Sequence, residues 1–585
     1  MELVKLKIDN KLVEVEKGTT ILDAARKYSI DIPSLCHFNI DKMNIENKPG
    51  SCRVCVVEIE GRRNLAPACA TNCENNMVVW TNKMRVINAR RTVVELMLSD
   101  HPTDCLICNK ADNCELQDLA HKLGIREMHY SGMQTHYKKD ISPSIVRDMN
   151  KCILCRRCVT MCNNVQSVAV LSPTNRGFQS VVSPAFDLPL GETDCVYCGQ
   201  CVSVCPTGAL AEVDHTTQVI RALMNSSKKV IVQTAPAVRA ALGEEFGMPP
   251  GTSVTGKMVS ALRLLGFDYV FDTDFAADLT IMEEGTELLG RLTAFLNGDK
   301  NIKLPILTSC CPGWVNFLEK NFPDILENPS SAKSPQQMFG AIAKTYFADK
   351  MNIDRKDMIV VSVMPCLAKK YERQREEFII DGNPDVDITI TTRELARLIK
   401  LSNIDLPNLE DEEFDAPLGE STGAAVIFGV TGGVIEAATR TAYEVFTGKK
   451  LENINFNELR GHSGFKSATI DFNGTPIKIG IAHGLSNAKE LIKEIREGKS
   501  EFHAIEVMAC PGGCIGGGGQ PYHHGNFEIL EKRALSLYKE DARKTIRKSH
   551  ENKAIIQLYN EFLGKPCGEK SHHLLHTHYF DKSNK

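Results

Sequence analysis

Two short runs of cysteine constrain this chain more than anything else in it: Cys152-x2-Cys155-x2-Cys158-x3-Cys162 and Cys195-x2-Cys198-x2-Cys201-x3-Cys205-Pro206. Three thiolates spaced this tightly wrap one 4Fe-4S cubane, and the fourth, three residues on, crosses to a second cluster. The runs are therefore expected to fold as one bicluster module. Cys152, Cys155, Cys158 and Cys205 are assigned to one cluster, and Cys195, Cys198, Cys201 and Cys162 to its neighbour. Asn163 stands where a proline is usual and the loop between the runs is long, but neither departure removes a ligand. A pair of zinc knuckles would leave the third cysteine of each run without a use.

Two more cysteine groups precede these. Cys36, Cys52, Cys55 and Cys69 lie in a segment of short alternating strands: 4–8 and 12–15 read as a hairpin, followed by a helix capped by Thr19 or Thr20. That order resembles the β-grasp of plant-type ferredoxins, which implies a 2Fe-2S cluster. The Cys36-x15-Cys52 spacing departs from the plant-type pattern towards the ferredoxin-like domains of hydrogenases and respiratory NADH dehydrogenases. Structural zinc is the alternative. Cys73 could replace Cys69; Cys69 is the expected ligand and Cys73 a small buried residue. Then His101-x3-Cys105-x2-Cys108-x5-Cys114 follows a helical stretch over 82–99. One imidazole and three thiolates suit either zinc or a 4Fe-4S cluster.

Composition excludes several classes. The 585 residues suggest about four domains, and 43% hydrophobic content is ample for their cores. The chain carries 22 cysteines but opens on Met1-Glu2-Leu3-Val4-Lys5 with no apolar signal segment, so reduced, metal-holding thiols and a cytoplasmic location are expected. The longest apolar run, near 424–438, is broken by Gly432, Gly433 and Glu436 and is too short for a membrane span; it reads as a buried helix start. A net charge of -4 leaves no footprint for nucleic acid or an anionic membrane. Gly251-Thr252-Ser253-Val254-Thr255-Gly256-Lys257-Met258 nearly matches a phosphate loop, but Met258 stands where a magnesium-binding hydroxyl is needed and no strand precedes it.

From about Thr216 the pattern becomes strands and amphipathic helices. Segments 229–234, 269–272, 303–308 and 358–363 read as buried strands ending near chemistry-bearing residues, with 387–391, 425–428, 477–482 and 504–508 as strands of a second lobe. Here lie Thr308-Ser309-Cys310-Cys311-Pro312-Gly313-Trp314, Met364-Pro365-Cys366 and Glu506-Val507-Met508-Ala509-Cys510-Pro511-Gly512-Gly513-Cys514. Together they resemble the signature of FeFe hydrogenases, in the large clostridial-type multi-cluster form.

The resemblance implies a two-lobed α/β catalytic domain, two small mainly parallel sheets flanked by helices, over 216–585. A β-grasp 2Fe-2S domain over 1–80, a 4Fe-4S module held by one histidine and three cysteines over 81–140, and a bicluster ferredoxin module over 141–215 would precede it. It implies an H-cluster: a cubane on Cys311, Cys366, Cys510 and Cys514, bridged through Cys514 to a diiron centre with carbonyl, cyanide and an amine-bearing dithiolate. Lys369 would donate to a cyanide, with Met364, Met508, Ala235, Pro236, Pro335 and Gln336 as walls; Ala237 stands where some relatives carry serine. Cys310 would exchange protons with the amine, and Glu284, Ser330, Glu287 and Arg291 would carry them to the surface. The resemblance also assigns His101, Cys105, Cys108 and Cys114 to a 4Fe-4S cluster, making three accessory 4Fe-4S clusters in all.

Soluble ferredoxin is the expected electron partner of a ferredoxin hydrogenase, and maturation proteins are needed to install the diiron centre. A monomer is expected, favoured by a chain that ends soon after Tyr579; a subunit of an electron-bifurcating complex is the alternative. His572, His573, His576 and His578, with Cys567 nearby, read as a surface tail or last helix. An iron-sulfur assembly protein and a redox sensor on a hydrogenase core are the readings from other classes. Both lack the full set around Cys310, Lys369 and 510–514, or need a sensory domain that does not follow here.

Overall fold

The structure is a computed structural model that describes residues 2–40, 43, 45–47, 50–133, 136–299, 301–472 and 474–583. The chain divides into two compact units, one of residues 1–164, 169–193 and 204–211, the other of 165–168, 194–203 and 212–585.

In the first unit, β1 (Leu3–Ile8) buries every second residue, the period of a strand with one face on a core. It pairs antiparallel with β2 (Lys11–Glu16), Leu3 opposite Glu16 and Ile8 opposite Lys11. Helix α1 (Ile21–Lys27) starts where the Thr20 hydroxyl accepts from the Asp23 N–H. Strands β3 (Val56–Ile59), β4 (Ala66–Pro67) and β5 (Val78–Trp80) complete a sheet of order β2-β1-β5-β3-β4. Val4, Leu6 and Ile8 are almost fully buried against α1, at roughly 1.5–3 kcal/mol of burial each. Helix α2 (Met84–Asp100) is tied to this sheet by Arg90, which donates to the Val56 carbonyl at 2.9 Å. Helix α3 (Glu115–Lys122) follows the His101 group.

The second unit holds two four-stranded sheets. Its strands in chain order are β6 (Lys229–Thr234), β7 (Tyr269–Asp272), β8 (Ile306–Thr308), β9 (Met358–Met364), β10 (Ile388–Thr391), β11 (Phe465–Phe472), β12 (Thr475–His483) and β13 (Ala504–Met508). The first sheet, β7-β6-β9-β10, is wholly parallel, with Lys229 opposite Met358 and Val361 opposite Ile388. In β6 every residue after Lys229 is buried, as a central parallel strand covered on both faces requires. The second sheet, β8-β13-β12-β11, is parallel except for the antiparallel β11–β12 pair. Between β7 and β8 runs the 24-residue helix α4 (Thr273–Leu296), begun by the Asp272 carboxylate accepting from Asp274 N–H. Among the described residues no helix is long and apolar enough to cross a membrane.

Residues 425–428, expected as a strand, are helical, within Gly423–Val426 and Ile427–Gly429; all are buried, so no periodicity separates strand from helix. The strand expected over 387–391 joins the first sheet rather than the second, and the strand expected at 303 begins only at Ile306, beyond Pro305, which has no N–H to pair. Strand β11 was not anticipated, because its alternating face is half exposed and only Phe472 is buried. The phosphate-loop look-alike runs into a plain helix, Thr255–Leu264.

Candidate functional site

Parallel sheets deliver loops at the carboxyl ends of their strands. Here β6 runs into Ala235-Pro236, β8 into Ser309-Cys310-Cys311, β9 into Pro365-Cys366 and β13 into Ala509-Cys510. These loops meet at one cavity. Its lining contains Cys310, Cys311, Cys366, Cys510, Cys514, Lys369, Met364, Met508, Ala235, Pro236, Pro335 and Gln336. Sequence reasoning missed Thr273, Ala277, Phe428 and Gly429, which also line it. Phe428 was hidden by the mistaken strand, and the other three carry no motif.

The donor set fits a cubane. No disulfide joins the five thiols. Burial first, then the charge of Cys311, pushes the Cys366 thiol up to about 12, with Lys369 opposing. Cys510 and Cys514 are raised as well, Cys510 by burial and Cys514 by contact with Cys310 and by burial. Four thiolates held this close repel one another and need a multivalent cation to ionise together. Close backbone approach makes the loop possible. A Cβ at Gly517 would lie 2.1 Å from the Pro365 carbonyl oxygen, and at Gly513, where φ is +96°, 2.6 Å from the Thr431 nitrogen. The glycines over 516–519 also let the chain run close to the backbone of Pro511, Pro365 and Gly199 and to the Thr391 side chain.

Lys369 is buried, not solvated, and donates to both oxygens of Glu372 at 3.1 and 3.0 Å. Glu372 also accepts from Gln336 at 2.8 Å and Ser334 at 3.0 Å. Burial alone would lower the Lys369 ammonium; Glu372 and Cys310 outweigh it and hold the charge on. Glu372, three residues beyond Lys369, was missed by sequence reasoning, although that spacing marks a helix neighbour.

Contact with Cys514 holds the Cys310 thiol below its ordinary value against the effect of burial, with Lys369 assisting. Glu284, on α4, is 6% exposed. Burial pushes its carboxyl up to about 8; Glu287 and Cys310 add to this while the Thr308 and Ser330 side chains oppose it. Ser330 Oγ donates to Glu287 at 2.8 Å, and Arg291, one turn further, donates to Glu287 at 2.6 Å. Side-chain contacts thus join Glu284 to Ser330, Ser330 to Glu287 and Glu287 to Arg291. The C-terminal histidines are only partly a surface feature: His572, His573 and His578 are exposed, but His576 is buried against Glu283, because residues 575–577 pair with 331–333.

Cys36, Cys52, Cys55 and Cys69 lie side by side, with Cys36 in thiol contact with both Cys52 and Cys69, and Cys55 with Cys69. Cys73 is raised to about 11 by burial and then Asp23, not by another thiol. Buried His101 Nε2 makes no hydrogen bond among the described residues, a need that a metal ion would satisfy. Cys108 Sγ would lie 2.6 Å from a Cβ at Gly208, so only glycine lets the chain pass it. Cys152, Cys155, Cys158 and Cys205 line one pocket. Asn47 donates to the carbonyls of both Cys36 and Cys155, tying the first cysteine group to the third. Cys162 belongs to the first unit; Cys195, Cys198 and Cys201 belong to the second. There Gln200 donates to the Gly516 carbonyl at 2.9 Å, and Cys198 is close enough to raise the Cys510 thiol.

Comparison with known proteins follows this layout. Residues 228–518 match the family model described as iron only hydrogenase large subunit, C-terminal domain, and 527–582 that of the iron hydrogenase small subunit. Upstream, 1–84 match a 2Fe-2S iron-sulfur cluster binding domain, 90–129 the NADH-ubiquinone oxidoreductase-G iron-sulfur binding region, and 151–209 a 4Fe-4S dicluster domain. The chain is 65% identical to the NADP-reducing hydrogenase subunit HndD of Solidesulfovibrio fructosivorans over 100% of both chains. It is 41% identical to iron hydrogenase 1 of Clostridium pasteurianum over 96% of this chain and 97% of that one. A solved variant of apo [FeFe]-hydrogenase HydA1 from Chlamydomonas reinhardtii is 43% identical with a TM-score of 0.56, covering 63% of this chain and 99% of its own. The chain therefore belongs to the FeFe hydrogenases, as an iron-sulfur oxidoreductase whose H-cluster domain follows 2Fe-2S and 4Fe-4S domains.

Proposed function

We propose that this chain catalyses the reversible reduction of protons to H2, taking electrons through its accessory clusters and protons through Cys310. The supporting observation is that five thiols and one buried ammonium share a single cavity, one thiol more than a cubane uses. Cys311, Cys366, Cys510 and Cys514 would hold the H-cluster cubane, with Cys514 as bridge to the diiron centre. Once bound, the H-cluster supplies the redox chemistry that forms and splits H2.

The chain's own residues do the rest. Met364, Met508, Ala235, Pro236 and Pro335 exclude water, which strengthens every charge interaction inside. Lys369, held by Glu372, presents a fixed cation to an anionic ligand, and Gln336 braces Glu372. Cys310 Sγ gives or takes a proton at the cavity wall, since a thiol titrates far nearer neutrality than a hydroxyl. Glu284, raised to about 8, holds that proton near neutral pH, and Ser330, Glu287 and Arg291 carry it outward.

The proposed division is 1–80 for the 2Fe-2S domain, 81–140 for the 4Fe-4S module of His101 and its three cysteines, 141–215 for the bicluster module and 216–585 for a two-lobed catalytic domain. The matched ranges and the cysteine groupings support one 2Fe-2S and three accessory 4Fe-4S clusters. For the electron partner, the relative named as a subunit of an NADP-reducing hydrogenase, identical at 65% of positions, favours a subunit of a larger complex acting on nicotinamide. A free-standing enzyme served by soluble ferredoxin is the second reading, favoured by the match of nearly full length to iron hydrogenase 1. The chain co-expressed with maturation proteins is to be assayed for H2 with reduced ferredoxin, with NADPH and with methyl viologen, and its co-purifying subunits identified. Cys310→Ala should lose turnover and keep its iron; near-normal evolution by that variant would remove Cys310 from the path.

A further inference from the structure

Glu287 has neighbours that the proposed path leaves unused. Residues 331–333 run antiparallel to 575–577: Thr577 N donates to the Ser331 carbonyl at 2.7 Å and Lys333 N to the Leu575 carbonyl at 2.8 Å. This pairing sets His576 beside Ser331. Ser331 Oγ lies 2.8 Å from His576 Nδ1 and 3.3 Å from Glu287 Oε2, and His576 Nε2 lies 2.9 Å from Glu283 Oε2. Glu283 is fully buried and accepts from the Tyr559 hydroxyl and the Cys567 N–H, so it is held as a carboxylate. Nothing in the relay proposed above employs Ser331, His576 or Glu283.

Counting protons makes the set a two-state device. The Ser331 hydroxyl has one proton to donate. If it donates to His576 Nδ1, the imidazole is neutral with its proton on Nε2, facing Glu283. If it donates to Glu287, both ring nitrogens must carry protons, Nδ1 donating to Ser331 Oγ and Nε2 to Glu283. We propose that Ser331 and His576 form a side arm of the relay in which His576 stores one proton. In the transfer, Glu287 gives its carboxyl proton to Ser331 Oγ while the Ser331 hydroxyl proton moves to His576 Nδ1. One O–H bond on Glu287 breaks, one N–H bond forms, and Ser331 ends as a hydroxyl pointing the other way. The products are the Glu287 carboxylate and an imidazolium paired with Glu283.

The groups facing His576 are Glu283 from α4, Ser331 and His572, with Glu287 and its partner Arg291 beyond Ser331. Tyr559 and Cys567 lie behind Glu283. The exposed His572 ring stacks on His576 at 4.5 Å, which puts a surface acceptor next to the store.

The inference rests on Glu287 belonging to the relay, and its test has a readout besides turnover. Infrared difference titration of holoenzyme carrying isotope-labelled histidine follows the His576 band, assigned with His576→Gln or, if that variant does not fold, His576→Asn. Exchanging one hydrogen bond with a charged partner is worth about a tenfold change in proton affinity. Glu287→Gln should therefore change the His576 proton affinity about tenfold when Ser331 or Ser331→Thr is present, and leave it unchanged in Ser331→Ala. The same change in Ser331→Ala, or no change with the hydroxyl present, overturns the side arm. Normal turnover by Glu284→Gln would instead break the main relay and leave the titration result standing.

Discussion

Replacing Glu284 by glutamine should slow proton transfer and stabilise the fold at the same time. The side chain is buried, and burial above all lifts its carboxyl from an ordinary 4.5 to about 8. Below pH 4.5 the group is protonated folded or unfolded and contributes nothing to the pH dependence. As pH rises, the unfolded chain ionises first while the folded protein keeps its proton, so stability falls until about pH 8. At 1.36 kcal/mol per pH unit, the accumulated cost at pH 7 is about 3 kcal/mol. Glutamine keeps the shape and cannot ionise, so the variant should be more stable than the native chain by up to that amount at pH 7, with the gain shrinking towards pH 5. Turnover should fall by roughly 10²- to 10⁴-fold, the usual worth of a positioned acid-base group. Denaturant unfolding at several pH values and H2 evolution with methyl viologen measure the two effects. A variant that melts with the native pH dependence, or is destabilised at pH 7, refutes the account of Glu284 as a buried neutral carboxyl; full turnover refutes its place in the relay.

Lys369→Met leaves Glu372 without its cation but with Gln336 and Ser334, and should cost about 3 kcal/mol, the lower end for breaking a buried pair. Lys369→Met with Glu372→Gln should recover most of that loss in denaturant unfolding. Gly517→Ala drives a Cβ to 2.1 Å from the Pro365 carbonyl oxygen. It should cost about 1–3 kcal/mol and spread the loops carrying Cys366 and Cys514, seen as reduced iron content in the catalytic domain. Cys69→Ser should lose the 2Fe-2S signal in visible absorption and electron paramagnetic resonance, whereas Cys73→Ser should keep it, since Cys69 is in thiol contact with Cys36 and Cys55 while burial and Asp23 set the Cys73 thiol.

Short-range spacing made much of this protein legible. A cluster ligand set is local where three cysteines fall within seven residues, as at 152–158 and 195–201, so the pattern alone locates it. The hairpin of β1 and β2 and a helix cap at Thr19 or Thr20 were equally readable, because alternation and capping depend on residues a few positions apart; the structure puts the cap at Thr20. The strands flanking Cys310 and Cys366 were visible as buried β-branched runs. The motifs around Cys311, Cys366 and Cys510 were recognisable only as whole signatures, since nothing local says that three distant loops converge.

What tertiary structure alone decided are the properties set by burial and by long-range pairing. Residues 425–428 are apolar on all sides, which leaves helix and strand indistinguishable until their neighbours are in place. Glu284 and Glu287 carry the same side chain on one helix, yet burial lifts Glu284 to about 8 while Glu287 is met by Arg291, Ser330 and Ser331. The partnership of His576 with Ser331 and Glu283 spans 245 and 293 residues of chain. Residue type and spacing determine which atoms can bind iron or carry a proton. Only the packed fold removes water from them and brings the distant ones within hydrogen-bond reach, and that decides which do so.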